Sequence, residues 1–265
     1  EGPLDEWTAL VAAIVERIKE KTLEKVVLAR RVTVDLPSAP DPAEVLSRLR
    51  LEAPECTRFL VRREGSCFLG ATPERLAKKQ GASLETEAVA GSISTLDREA
   101  ARHLFESSKD LAEHGLVVRE IVRALEPLAE RIDKPSEPEL RGLRHVLHLR
   151  TPIAARLRGN PHLLEVVERL HPTPAVGGAP TARALEWIAS HERDERGWYA
   201  GPIGWFDLAG DGEMAVALRS GVLESKRAHL YVGAGIVEDS APEAELAETR
   251  WKLETLLSAL GIRGA

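Results

Sequence analysis

The chain has 265 residues, with 36 basic and 42 acidic side chains for a formal net charge of −6. That length can bury a sizeable core, as one large body or two smaller ones. No basic tract stands out, so nucleic acid has no electrostatic footing, and no apolar run is long enough for a helix to cross a membrane. No charged-then-apolar leader opens the sequence. Cys56 and Cys67 are too few for a disulfide framework, and free, buried thiols in a reducing cytoplasm are expected.

In chain order, residues 5–20 place Trp7, Leu10, Val11, Ile14 and Ile18 on one stripe, which predicts an amphipathic helix. Residues 25–34 (KVVLARRVTV) read as a strand. A helix is expected over about 42–52, then strands near 57–63, 66–71 and 83–90, the first two joined at Gly65. A long helix is predicted over 108–131, followed by a Pro-containing linker at 133–139 and an apolar strand at 144–150. Helices near 161–170 and 180–192 bracket a Pro/Gly loop. Strands near 198–208, 213–219 and 229–237 come next, with a turn at Gly210-Asp211-Gly212, and a last helix runs from about 241 to 260 and stops at Gly261. Strands arriving in hairpins with helices between groups predict an α+β fold with mostly antiparallel sheets. No fixed-period repeat is visible. The GAGIVE segment at 233–238 lacks the third glycine of a dinucleotide fingerprint, so a nucleotide cofactor is not expected.

The C-terminal run GAGIVEDSAPEAELAETRWK, 233–252, is the most informative stretch. A strand ends, and Ser240 to Glu243 reads as a capping box with Pro242 in the first turn. Glu245, Glu248 and Lys252 then share one helix face. In KDLAEHGLVV, 109–118, Asp110, Glu113, His114 and Val117 share another. A lone acid–base pair one turn apart usually decorates a solvated helix and is worth roughly 0.2–0.5 kcal/mol. Two helices offering carboxylates to one pocket are instead what a hard divalent cation needs, and magnesium takes one or two of them beside water and substrate oxygens.

Several ordered motifs carry a family resemblance: KVVLAR at 25–30, FLGATPERL at 68–76, AVAGS at 88–92, SSKDLAEH at 107–114, HLRTP at 148–152, HPTPAVGG at 171–178, GPIGW at 201–205 and ALRS at 217–220, closed by the run above. From about residue 20 onward the chain resembles the catalytic part of the chorismate-utilising enzymes, and within them the isochorismate synthases. The resemblance implies a chorismate-binding catalytic domain over residues 1–265, with two mostly antiparallel sheets around a central cleft flanked by helices. It also implies a cytoplasmic monomer that converts chorismate to isochorismate with Mg2+, a product that feeds menaquinone, siderophore or salicylate routes. Members usually carry a further N-terminal segment, so the expected fold lacks that portion.

Carried over residue by residue, the resemblance makes Lys25 the general base that activates water and Glu74 the general acid for the departing hydroxyl. The base must act as a neutral amine, and the acid must hold its proton near neutral pH. Glu113 and Glu248 match direct magnesium ligands, while Glu245 and Asp110 match positions that hold the ion through water. Arg219 and Lys252 match the cationic partners of substrate carboxylates. Gly91 and Gly233 match close backbone approaches, His148 a position near C4 of the ring, and Ala175 and Val176 the pocket wall. Ammonia-using members tend to have Gln where Lys25 stands, which favours water here. Ala90 stands where aminodeoxychorismate synthases have a nucleophilic Lys, which removes that covalent route. Leu246 replaces a common Trp, and Arg150 replaces a common small residue. The competing readings are a salicylate synthase, which goes on to eliminate pyruvate, and a non-catalytic chorismate- and magnesium-binding module.

Overall fold

The computed structural model describes residues 4–95, 99–144 and 146–262. Two antiparallel sheets dominate it. The first has β1 (Lys25–Asp35), β2 (Thr57–Arg63), β3 (Ser66–Thr72), β9 (Gly178–Ala179), β12 (Ser220–Glu224) and β13 (Arg227–Ile236), in the order β2-β3-β12-β13-β1-β9. The second has β4 (Arg75–Gln80), β5 (Ser83–Ser94), β6 (Ala129–Asp133), β8 (Val146–Leu157), β10 (Pro202–Phe206) and β11 (Gly212–Val216), in the order β10-β11-β4-β5-β8-β6, with β7 (Glu139–Gly142) also on β8. The expected α+β class and sheet character hold.

The chain changes sheets four times, and two of the crossings lie side by side. It leaves β3 for β4 through Pro73 and Glu74, and returns from β11 to β12 through residues 217–219. The two crossings are tied together, since Val216 N–H donates to Glu74 O at 3.0 Å and Ala71 N–H to Arg219 O at 3.2 Å. Each switch breaks the alternation of a strand, so its side chains are free to turn into the space between the sheets.

Helices cover the outer faces. α1 (Leu4–Lys19) and α6 (Thr181–His191) share a core with β1 and β13, with Val11, Ile14, Val26 and Ile236 fully buried there. Leu246, where the family often has Trp, packs into that same cluster. α2 (Pro42–Glu52) and α7 (Pro242–Ala259) pack over the first sheet through Val45, Leu49, Leu253 and Leu256. α4 (Ser108–Leu125) and α5 (Leu163–Leu170) cover the second through Val117, Ile121, Leu163 and Val166. Burial of about 25 cal/mol per Å² of apolar surface is what fixes these faces. Both cysteines are free and buried, as expected. Among the described residues, no helix is long and apolar enough to cross a membrane.

The sequence reading misplaced several elements. The helix expected over 108–131 ends at Leu125, and residues 129–133 form β6 on the edge of β8. The strand expected at 144–150 runs on to Leu157 as β8; residue 145 lies outside the described residues. β4 (RLAKKQ), a strand between two others, was not among the expected elements. It is a strand because buried Lys79 is neutralised by Asp211, 2.6 Å away, and hydrogen-bonded to Asn160, 2.7 Å away. α3 (Ala100–Glu106), β7, β9 and β12 were also unseen; the strands are short and the helix lacks a capping hydrogen bond. The capping box at Ser240 does not form. Ala241 is the N-cap, and the Ser240 hydroxyl instead accepts from Val237 N–H at 3.1 Å.

Candidate active site

Between the two sheets lies a partly open cavity. Its wall includes Lys25, Glu74, Gly91, Glu113, His148, Ala175, Val176, Arg219, Gly233, Glu248 and Lys252. Every site residue taken from the sequence therefore meets in one place, except Glu245, which is turned from the cavity towards Lys109. Asp110 is not on the wall either, but packs directly behind Gly91.

Lys25 opens β1, where a side chain is commonly an exposed edge charge. Here it is 1% exposed, because β9 pairs with Lys25 and Val26 on one side while β13 pairs from Val26 on the other. Gly178 allows this: its φ is +137°, and a Cβ there would overlap the Lys25 carbonyl. The ammonium reaches Glu113 Oε1 at 2.8 Å. Burial pushes the Glu113 carboxyl up, but Lys25, with Lys109 and Lys252, outweighs it and holds the group below its ordinary value.

Glu74 sits at the first sheet crossing with its backbone held on both sides: its N–H donates to Thr72 Oγ1 at 3.2 Å, and its carbonyl accepts from Val216. Its side chain is buried without an ion pair among the described residues. Burial, and secondly the negative charge of Glu87, push its pKa up to about 8 against the opposing pull of Lys25, Lys252 and Arg141. Such a carboxyl carries its proton at neutral pH.

Arg219 occupies the crossing from β11 to β12 with φ +47°, an uncommon conformation for a non-glycine residue, and one often held at functional positions. Its guanidinium is buried and lies 3.0 Å from His148 Nε2. A guanidinium can only donate, so Nε2 accepts and the ring proton is assigned to Nδ1. From there it reaches Ser92 Oγ at 3.0 Å and Gly91 O at 3.3 Å. Burial first, then Arg219 and Lys252, drive the His148 pKa well below its usual value, which leaves the imidazole neutral. Gly91 is the extra residue where the β5–β8 register shifts, with φ +74°.

At the other end, α4 and α7 bring four carboxylates together. Lys25 holds Glu113, Lys109 holds Glu245 at 2.5 Å, and Lys252 holds Glu248 at 2.6 Å. Lys252 also donates to Gly233 O at 3.1 Å. Burial and then Glu248 raise the Glu245 pKa to about 7; burial, opposed by Ser107, raises that of Asp110. Among the described residues, no three acidic, imidazole or thiol groups form a ready-made cation cage. The donor chemistry still suits a hard divalent ion. The groups are all oxygens, they repel one another, and magnesium needs only one or two of them directly.

Sequence reasoning missed Tyr199, Tyr231, Ser92 and Gly235 on the cavity wall. Tyr199 stacks on Tyr231 with ring centroids 5.5 Å apart, and nothing local in the sequence points to either. Gly235 had a signal. It stands two residues from Gly233 in β13, so both fall on the cavity side of one strand. A Cβ there would overlap Glu113 Oε1 and lie 2.9 Å from Lys25 Cε.

A profile of the family described as chorismate binding enzyme matches residues 1–261. The chain belongs to that family. Over 264 residues it is 42% identical to the salicylate biosynthesis isochorismate synthase of Pseudomonas aeruginosa, covering 98% of this chain and 55% of that protein. It is 41% identical to the isochorismate synthase MenF of Bacillus subtilis, covering 97% of this chain and 56% of that protein. The chain thus spans little more than half the length of these curated relatives. Its fold superimposes on the menaquinone-specific isochorismate synthase MenF from Escherichia coli with a TM-score of 0.88 at 34% identity, covering 97% of this chain and 61% of that one.

Proposed function

We propose that this chorismate-binding chain carries the catalytic site of an isochorismate synthase. The observation that carries the reading is a single cavity walled by a buried amine, Lys25, and a buried carboxyl, Glu74, that keeps its proton to about pH 8. A binding-only scaffold has no use for that opposition, since a buried unpaired carboxyl lowers stability.

Lys25, in its neutral amine form rather than as the ammonium paired with Glu113, takes a proton from water as its oxygen bonds to C2 of the chorismate ring. The ring double bonds shift, the C4–O bond breaks, and Glu74 protonates the departing hydroxyl, which leaves as water. One water enters and one leaves, so the net change is an isomerisation and no redox partner is needed. Arg219 and Lys252 bind the substrate carboxylates, the former with a planar two-oxygen contact. Neutral His148, steadied by Gly91 and Ser92, stands on the C4 side and orients the Arg219 guanidinium through Nε2. Backbone at Gly91 and Gly233 approaches the ring, and Ala175 and Val176 limit its room. Magnesium suits the α4 and α7 carboxylates: Glu113 and Glu248 would hold it directly, Glu245 and Asp110 through water, and when bound it supplies charge neutralisation and polarisation at a substrate carboxylate.

The test is a product analysis. Chorismate and magnesium are incubated with the protein, with and without chelator, and the mixture is resolved by chromatography. Chelator-sensitive isochorismate, free of salicylate and pyruvate, is the expected result. Salicylate with matching pyruvate would replace the isomerase with a lyase. Tight chorismate binding without turnover would leave a binding module.

A further inference from the structure

Outside the cavity wall, behind Glu74, lies a charged cluster that the mechanism above does not use. Glu87, on β5, has a side chain only 3% exposed. Its Oε1 accepts from Arg141 Nη1 at 2.7 Å and from the backbone N–H of Arg75 at 3.1 Å; its Oε2 accepts from Arg150 Nε at 2.5 Å. Arg75 N–H belongs to the peptide that joins Glu74 to Arg75, so this carboxylate grips the residue next to the acid.

The grip falls where the sheet opens. β4 and β5 pair only from Lys78 with Glu85 to Gln80 with Ser83. Towards Glu74 the ladder stops, and side chains replace it: Thr86 Oγ1 donates to Leu76 O at 2.7 Å, and Glu87 receives Arg75 N–H. On the far side of β4 the register to β11 shifts between Met214 and Ala215. The opened ladder is what lets Glu74 turn into the cavity. Arg150, which departs from the small residue common in the family, closes the clamp and is anchored in turn by Glu139 on β7.

We propose that Glu87 is a positioning residue for Glu74: clamped by Arg141 and Arg150, it fixes the peptide after the acid and faces the acid with a like charge. This rests on the reading of Glu74 as the proton donor. The charged and titratable groups facing Glu74 are Glu87 from β5, Lys25 from β1, Lys252 from α7, Arg141 from β7 and Tyr199 from the segment before β10. Three of these are cations that favour the ionised acid. Glu87 is the carboxylate among them, and the second-largest influence on the acid after burial. With two guanidinium partners and a backbone N–H on its oxygens, the Glu87 carboxylate has a fixed place beside Glu74.

The experiment is an infrared titration of the protonated carboxyl band of Glu74, assigned by its loss in Glu74→Gln, in the parent, Glu87→Gln and Arg150→Leu proteins. Glu87→Gln removes the like charge and should move the midpoint down by about one pH unit. Arg150→Leu removes a cation from Glu87 and should move it up. It also serves where Glu87→Gln fails to fold, because Arg150 is at the surface end of the clamp. Opposite shifts support the proposal; midpoints that stay at the parental value, or move in the same direction, overturn it. A Glu74→Gln protein with parental turnover would instead overturn the proton-donor reading, and the infrared shifts would still judge the influence of Glu87 separately.

Discussion

The two ends of the cavity hold the same functional group in opposite states. Glu74 is 6% exposed and Glu113 is 9% exposed, so both carboxyls are withdrawn from water to a similar degree. Yet Glu74 is pushed up to about 8, while Glu113 is held below its ordinary value. The difference lies in the nearest charge. Glu113 has the Lys25 ammonium at 2.8 Å, whereas Glu74 has no such partner and faces Glu87. Burial sets how strongly a neighbour is felt, and the sign of the neighbour sets the protonation state. One fold thereby favours the protonated carboxyl at one end and the ionised one at the other.

Removing the cation that separates the two regions should have the largest effect. Lys25→Ala is expected to lower kcat by about 10²–10⁴, the usual worth of a general base. Magnesium-dependent chorismate binding, followed by calorimetry, should survive. The same change strips Glu113 of its nearest cation, so its carboxyl band should titrate at higher pH, making the two ends alike. Near-parental turnover would end the assignment of Lys25.

A subtler break comes from crowding. Gly235→Ala places a methyl group against the pair of Lys25 and Glu113 without altering either. Shifting a reacting group by about 1 Å costs roughly 10²-fold, and a loss of that order in kcat is expected, with circular dichroism unchanged. Full activity would show that the pair tolerates displacement.

On the helix side, Glu248→Ala should weaken magnesium binding, measured by titration calorimetry, at least about tenfold. An unaltered titration would remove Glu248 from the ligand set. The smallest effect concerns stability at the acid end. Glu74 has an ordinary value near 4.5 when unfolded and about 8 when folded, so the native state binds the extra proton between those values. Stability on this account is full below pH 4.5 and declines as pH rises to about 8. Glu74→Gln escapes that decline, so its Tm should exceed the parent's by a few degrees at pH 9 and match it near pH 4. Equal melting curves at both pH values would mean that Glu74 is not buried as a neutral acid.

Much of the architecture was legible because periodicity reports burial. The stripe of Trp7, Val11, Ile14 and Ile18 is the buried face of α1, and the alternation of Leu230, Val232, Ala234 and Ile236 is the helix-side face of β13. β4 was illegible because two consecutive lysines carry no strand pattern, and the Asp211 that neutralises Lys79 lies 132 residues away in sequence. The end of α4 was misread for a related reason: residues 129–131 are compatible with a helix, and pairing with β8 decides otherwise.

By itself, the sequence determined which chemical groups this protein has and how they are phased along each element. Helical spacing put Glu245, Glu248 and Lys252 on one face, and the ordered motifs placed the base, the acid and the cationic partners on the chain. Only the tertiary structure decided what each group became. Glu245 and Glu248 share a face, but Lys109 from another helix claims the first, while the second opens on the cavity. Glu74 became a carboxyl with its pKa pushed up to about 8 because burial, and then the charge of Glu87, act on it together. The physical reason is that periodicity fixes direction around an element's own axis, whereas protonation depends on solvent exclusion and on charges brought in from elsewhere in the chain.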